Sequence, residues 1–196
     1  MTMPPIILAS ASPRRRDLLN QIGIQPIAII ASDIDETPRP AEPPHLYAVR
    51  MAWEKALAAP SLDRLSPDIP DEAVVLGGDT VVACGRRILP KAETEAEARA
   101  CLALLSGRRH RVYGGIALRV GDGAVQTRLV KSTVIFKRLH QREIDAYIAT
   151  GDWQGKAGGY AIQGPAAAYI RHIDGSYSNI VGFSLYDVSA MLAAAV

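Results

Sequence analysis

Residues 111–139 read RVYGGIALRVGDGAVQTRLVKSTVIFKRL, two long runs rich in β-branched and apolar residues on either side of Gly-Asp-Gly at 121–123. Glycine on both sides of an aspartate is turn chemistry, so the segment predicts two long antiparallel strands joined by a tight hairpin. A chain of 196 residues that commits so much of its length to one hairpin must build the rest of its core around it.

The remaining segments alternate in character. Ile6–Ala9 is a short apolar run that predicts a buried strand, and Pro13–Ile22 carries Leu18, Leu19 and Ile22 at helical spacing. Ile27–Ala31 predicts a second strand. TPRPAEPP at 37–44 is too rich in proline for anything but a loop, and Leu46–Ala59 predicts a helix. Residues 60–72 are a candidate hinge or excursion. AVVLGGDTVVAC, 73–84, places β-branched residues on both sides of a small-residue break, which predicts two strands meeting at Asp79. Thr94–Leu105 is a helix with Thr94 and Glu97 at capping-box spacing and Gly107 just past its end. Helices follow over Gln141–Ala149 and Leu185–Ala194. Helices interspersed with strands, some joined by hairpins, define an α/β or α+β protein with a mixed sheet and no internal repeat.

Composition narrows the function. With 22 Lys plus Arg against 20 Asp plus Glu the net charge is +2, which excludes the broad basic surface of a general nucleic-acid binder. No apolar stretch approaches the roughly 18–20 residues that span a bilayer, and there is no signal-peptide pattern, so a cytoplasmic protein is expected. Cys84 and Cys101 belong to no CxxC or Cys/His cluster and read as reduced buried thiols.

The positive charge is local. Ser12-Pro13 is a helix start signal, yet Arg14, Arg15 and Arg16 then crowd the first turn, where the helix dipole disfavours cations by a few tenths to about 1 kcal/mol each. Either an anion such as a phosphate sits there, accepting backbone N–H and guanidinium bonds together, or the arginines point to solvent and pair with carboxylates such as Asp17. Asp79, in LGGDTVV, is one carboxylate in an apolar region: it either caps its own backbone or serves as a metal ligand or general base. Lys55 and Lys91 are single lysines in partly apolar surroundings that can also reach the surface. In GKAGGYAIQG, 155–164, the glycines around Lys156, Tyr160 and Gln163 suit either close approach to a ligand, with an amide to read a base edge, or a plain turn. His110, beside Arg108 and Arg109, falls near the anion site or on the surface. GxxxxGK[ST], GxGxxG, HExxH and GxSxG are absent, and the four histidines lack metal-ligand spacing.

LASASPRRRDLL, EKA, GGDTVV, LPKAETEAEA, LLSGRRHRVY, KAGGYAIQG and IDGSYSNIVGFSL, in this order over residues 6 to about 190, resemble the Maf family of nucleoside triphosphate pyrophosphatases. The resemblance implies one Maf-like domain over 1–196: an α/β fold with an elongated mixed sheet flanked by helices, two lobes around a cleft, and a homodimer in many members. It implies cleavage of a nucleoside triphosphate between the α- and β-phosphates, with Mg²⁺ or Mn²⁺. Ser10, Arg14 and Arg15 would hold the triphosphate, Lys55 and Lys91 would add charge, Asp79 would accept the water proton, and Asp79 with Glu36 (in DIDET) would hold the metal. Arg14, Thr80 and Gln163 have the identities of the branch acting on dTTP and UTP. Ala92 after Lys91, Gly78, and GFSL in place of GLPL depart from the usual pattern and bear on base preference. A non-catalytic nucleotide-binding regulator of cell division and a pyrophosphatase of other base specificity, such as for inosine triphosphate, are the rival readings.

Overall fold

The computed structural model describes residues 4–65, 69–70, 72–121 and 123–195. Along the chain run β1 (Ile6–Ala9), α1 (Pro13–Gln21), β2 (Ala28–Ile29), α2 (Pro44–Ala58), α3 (Leu62–Leu65), β3 (Val74–Cys84), β4 (Arg87–Leu89), β5 (Lys91–Ala92), α4 (Glu95–Leu105), β6 (Arg109–Val120), β7 (Val125–Phe136), α5 (Gln141–Ala149), β8 (Lys156–Ala157), a 3₁₀ turn (Pro165–Tyr169), β9 (Ile170–Asp174), α6 (Tyr177–Val181) and α7 (Leu185–Ala194). The main sheet has the order β2-β1-β3-β6-β7-β9, with β4 added to β3, and β5 and β8 form a separate two-stranded ribbon. β1 runs parallel to β2 and β3, whereas β3, β6, β7 and β9 pair antiparallel, so the sheet is mixed.

The hairpin forms as the turn chemistry predicts: β6 and β7 pair from Arg109↔Ile135 to Arg119↔Val125, and Gly121 takes a positive φ of 53° at the turn. Asp122 lies outside the described residues, as does part of the 60–72 segment. The alternation of β1 sends Ile6 and Leu8 into the larger core and Ile7 and Ala9 into the core under α2. β2 is shorter than expected, though Ile27 and Ile30 still donate their N–H groups to Ile6 O and Leu8 O. The Thr94–Glu97 capping box is present, and α6 is a helix that the sequence reading left out. Cys101 is buried, Cys84 is half-buried, and both are free thiols. Among the described residues no helix is long and apolar enough to cross a membrane.

The small-residue break before Asp79 is not a strand boundary. β3 continues through it, paired with β6 from Val74↔Val120 to Ala83↔Arg111. Gly77 makes room for helix backbone: a Cβ there would lie 2.6 Å from Ala52 O, and one on Gly115, across in β6, would overlap Ala48 O. Ala48, Ala52 and Ala56, four residues apart on α2 and fully buried, complete this close approach. Glycine on the sheet and alanine on the helix thus bring α2 against β3, and Lys55 with it.

His110 is neither at the anion site nor on the surface. The alternation of β6 turns it inward, where it is 1% exposed, with Nε2 2.8 Å from Tyr160 Oη and edge-on contacts to Phe136 and Tyr160. Burial holds its pKa down at about 4. Below a pH of about 6.5 the unfolded chain therefore binds a proton that the folded chain refuses, and stability falls as the pH drops from about 6.5 to about 4, by up to about 3 kcal/mol. Urea unfolding at pH 7 and pH 4.5 measures this slope, and His110→Leu is expected to flatten it.

Candidate active site

The site lies where the sheet is interrupted. One edge of β3 is covered by β6. On the other edge β1 reaches only as far as Ala9↔Gly77, and β4 begins only at Val82↔Leu89, leaving Gly78 to Val81 without a strand neighbour there. A cleft at the carboxyl end of a parallel strand is where open α/β sheets bind ligands. Here the chain leaves β1 through Ser10 into α1, and a cavity of about 590 Å³ opens between that turn, β3 and the 152–164 loop.

Successive residues on a helix diverge by about 100°, which separates the three arginines. Arg16 turns to solvent and pairs with Asp17 at 3.0 Å, the outcome foreseen for an arginine without an anion. Arg14 is half-buried on the cavity wall. Arg15 is buried, donating from Nη1 to Ser10 Oγ (2.8 Å), from Nη2 to Thr80 Oγ1 (3.1 Å) and from Nε to Gly182 O (3.1 Å), with its guanidinium 5.3 Å from the Phe183 ring centre. These partners are neutral oxygens. Burial lowers the pKa of Arg15, and the charge of Asp79 offsets only part of that; Arg14 is lowered for the same reason, with Asp152 offsetting. Ser12 takes the N-cap position with extended backbone, but its hydroxyl makes no cap bond.

The alternation of β3 sends Thr80 toward Arg15 and its neighbour Asp79 toward α2. Lys55 Nζ donates to Asp79 Oδ1 at 2.7 Å and contacts Glu36 Oε1 at 2.8 Å, while Lys91 Nζ donates to Glu36 Oε2 at 2.6 Å. Two ammoniums and two carboxylates form one neutral chain, Lys91–Glu36–Lys55–Asp79. Burial pushes the Glu36 carboxyl up, but the hydrogen bonds and charges of Lys55 and Lys91 outweigh it and hold its pKa at about 2. Tyr47 Oη donates to Glu36 O at 2.6 Å and fixes the loop that carries it. Lys91 reaches the site because β5 pairs with β8, Lys91 opposite Ala157.

All of Ser10, Arg14, Arg15, Glu36, Lys55, Asp79, Thr80, Lys91 and Gln163 line the one cavity. Tyr160 forms part of the wall, with its hydroxyl committed to His110. The sequence reading missed Asp152, whose only signal was a lone carboxylate beside the glycine-rich run. It also missed the Gly182–Phe183 corner, because a backbone carbonyl leaves no signature in side-chain chemistry.

Residues 5–195 match the family described as Maf-like protein. The chain belongs to this family. It is 55% identical over 193 residues to a dTTP/UTP pyrophosphatase of Gluconobacter oxydans, covering 96% of this chain and 86% of that one. It is 56% identical over 190 residues to a dTTP/UTP pyrophosphatase of Paramagnetospirillum magneticum, covering 97% and 96%. Among solved structures, a HAM1 protein from Coxiella burnetii aligns with 98% of this chain and 100% of its own at 18% identity and a TM-score of 0.47. A Cβ on Gly78 would overlap the Phe183 ring, so this glycine makes room for that side chain beside the Arg15 guanidinium.

Proposed function

We propose that this Maf-like protein is a metal-dependent nucleoside triphosphate pyrophosphatase, acting as one domain in the cytoplasm and hydrolysing dTTP and UTP to the monophosphate and pyrophosphate. The observation that carries this reading is the gathering of Arg14, Arg15, Lys55 and Lys91 around Asp79 in one cavity. A triphosphate carries about four negative charges that repel an incoming nucleophile, and cations held in place before it arrives remove that barrier without further reorganisation.

Arg15 is held in place by three hydrogen bonds and lines the cavity, with two of its five N–H groups uncommitted among the described residues and available to a phosphate oxygen. Arg14, on the cavity wall, supplies a second guanidinium. Lys55 and Lys91 exchange Glu36 for phosphate oxygens as the substrate enters, which the neutral resting chain permits. Asp79, oriented by Lys55 at 2.7 Å, accepts the proton of the water that attacks the α-phosphorus in line, and pyrophosphate departs toward the lysines. Among the described residues no three metal-ligating side chains come together, so Asp79 and Glu36 would hold a divalent cation jointly with the substrate phosphates. Both carboxylates lie within 2.8 Å of the same Lys55 nitrogen, and hard oxygen donors from one or two carboxylates plus substrate phosphates are what Mg²⁺ or Mn²⁺ takes. When bound, such a cation supplies charge neutralisation at the phosphate oxygens. The branch specificity follows the two relatives' names and the identities of Arg14, Thr80 and Gln163.

Pyrophosphate release from a panel of dTTP, UTP, CTP, ATP, GTP and ITP, with Mg²⁺ or Mn²⁺, tests the proposal. The highest kcat/KM is expected for dTTP and UTP. Binding without release from any nucleotide would point to a regulator, and preference for ITP to a purine enzyme.

A further inference from the structure

Two of the cavity's acids, Asp79 and Glu36, are paired with lysines. The third, Asp152, is differently placed. Its side chain has one hydrogen-bond partner among the described residues, Tyr147 Oη, which donates to Oδ2 at 3.2 Å. That hydroxyl also accepts the N–H of Ala161 at 3.3 Å, so a buried tyrosine of α5 holds both the carboxylate and the strand of loop that leads to Gln163. A Cβ on Gly164 would overlap Oδ2 of Asp152, so the carboxylate rests directly on the backbone of the residue after Gln163. Gln163 itself is exposed on the cavity wall, and its amide makes no hydrogen bond among the described residues. The cavity lining therefore offers an acceptor-only group, packed on the residue after Gln163, and an amide with both functions.

Asp152 is near enough to Arg14 for its charge to act there, and since a carboxylate repels phosphate, its own contact with a nucleotide suits the part beyond the phosphates that Arg14 meets. We infer that Asp152 is a specificity-determining residue that accepts the N3–H of uracil or thymine beside Gln163 and disfavours cytosine. This rests on the pyrimidine pyrophosphatase reading above and extends it. Uracil and thymine present one ring donor, N3–H, between two carbonyl acceptors. Asp152 takes the donor, and the Gln163 N–H reaches a flanking carbonyl. Cytosine has a lone pair at N3, which would face the lone pairs of the carboxylate and leave it unpaired, the kind of mismatch that polar sites reject strongly. The 5-methyl group lies away from N3, so the arrangement treats thymine and uracil alike.

The test is kcat/KM for UTP and CTP with the wild type and with Asp152→Asn, which keeps shape and can turn an N–H toward a cytosine N3. The wild type is expected to prefer UTP, and the variant to lower the UTP/CTP ratio by about ten- to hundredfold, the range for a hydrogen bond to a charged group. Asp152→Ala, as a second variant, is expected to lower the same ratio. Variants that slow both nucleotides by one factor would overturn the inference, since that is the result for a carboxylate that orients Arg14 or a ribose hydroxyl; so would an unchanged ratio. A folded wild type that releases no pyrophosphate from UTP or dTTP would instead remove the pyrophosphatase reading itself, and this inference with it.

Discussion

Asp79→Asn is expected to lower kcat for pyrophosphate release by about 10²- to 10⁴-fold, the range for loss of a positioned general base, while the triphosphate still binds. Asparagine keeps the shape of the side chain and can still accept from Lys55, which also remains paired with Glu36 at 2.8 Å. The cationic wall therefore stays assembled, and it faces one negative charge fewer when the substrate enters. The loss should appear in kcat with KM unchanged or lowered, the signature of an interaction made only on the way to the transition state. Equilibrium binding of a non-hydrolysable triphosphate to the variant, beside its turnover, makes the separation. A variant that turns over normally would take the proton-accepting role away from Asp79.

Arg15→Met should damage both activity and fold. Methionine fills much of the buried volume but removes the three donors that join Ser10 at the end of β1, Thr80 on β3 and the Gly182 carbonyl after α6. A buried acceptor left without a partner costs about 1–3 kcal/mol, and a preorganised cationic donor at a developing charge is worth about 10²- to 10³-fold in rate. Thermal unfolding and kcat/KM for UTP read the two effects. Arg15→Lys should recover little of either, because a single ammonium cannot span three acceptors set by a planar fork. Full activity in Arg15→Met would mean that the phosphates do not meet this guanidinium.

The parts legible in the sequence were those with local causes. Hairpin chemistry at 121–123, the capping box at Thr94, and the serine and proline that open α1 each act within a few residues, and each element formed. The LASASPRRR segment announced a concentration of charge, but only the rotation of the helix decided that Arg15 would be buried, Arg14 would face the cavity and Arg16 would pair with Asp17. The glycines before Asp79 were read as a break because glycine weakens a strand. In fact Gly77 admits the backbone of α2 at Ala52, 25 positions upstream, and Gly78 admits the Phe183 ring, 105 positions downstream, and no local pattern marks either partner. His110 was misplaced for a similar reason: its neighbours in sequence are arginines, while its neighbours in space are Phe136 and Tyr160. Asp152 was overlooked because nothing local marks a carboxylate whose meaning comes from Tyr147 and Gly164.

The most direct test of a cavity that seats a triphosphate with its α-phosphorus before Asp79 is hydrolysis of UTP in ¹⁸O-labelled water, with mass spectrometry of both products. Attack at the α-phosphorus predicts one ¹⁸O in UMP and none in the pyrophosphate. Label in the pyrophosphate, or formation of UDP and inorganic phosphate, would contradict it.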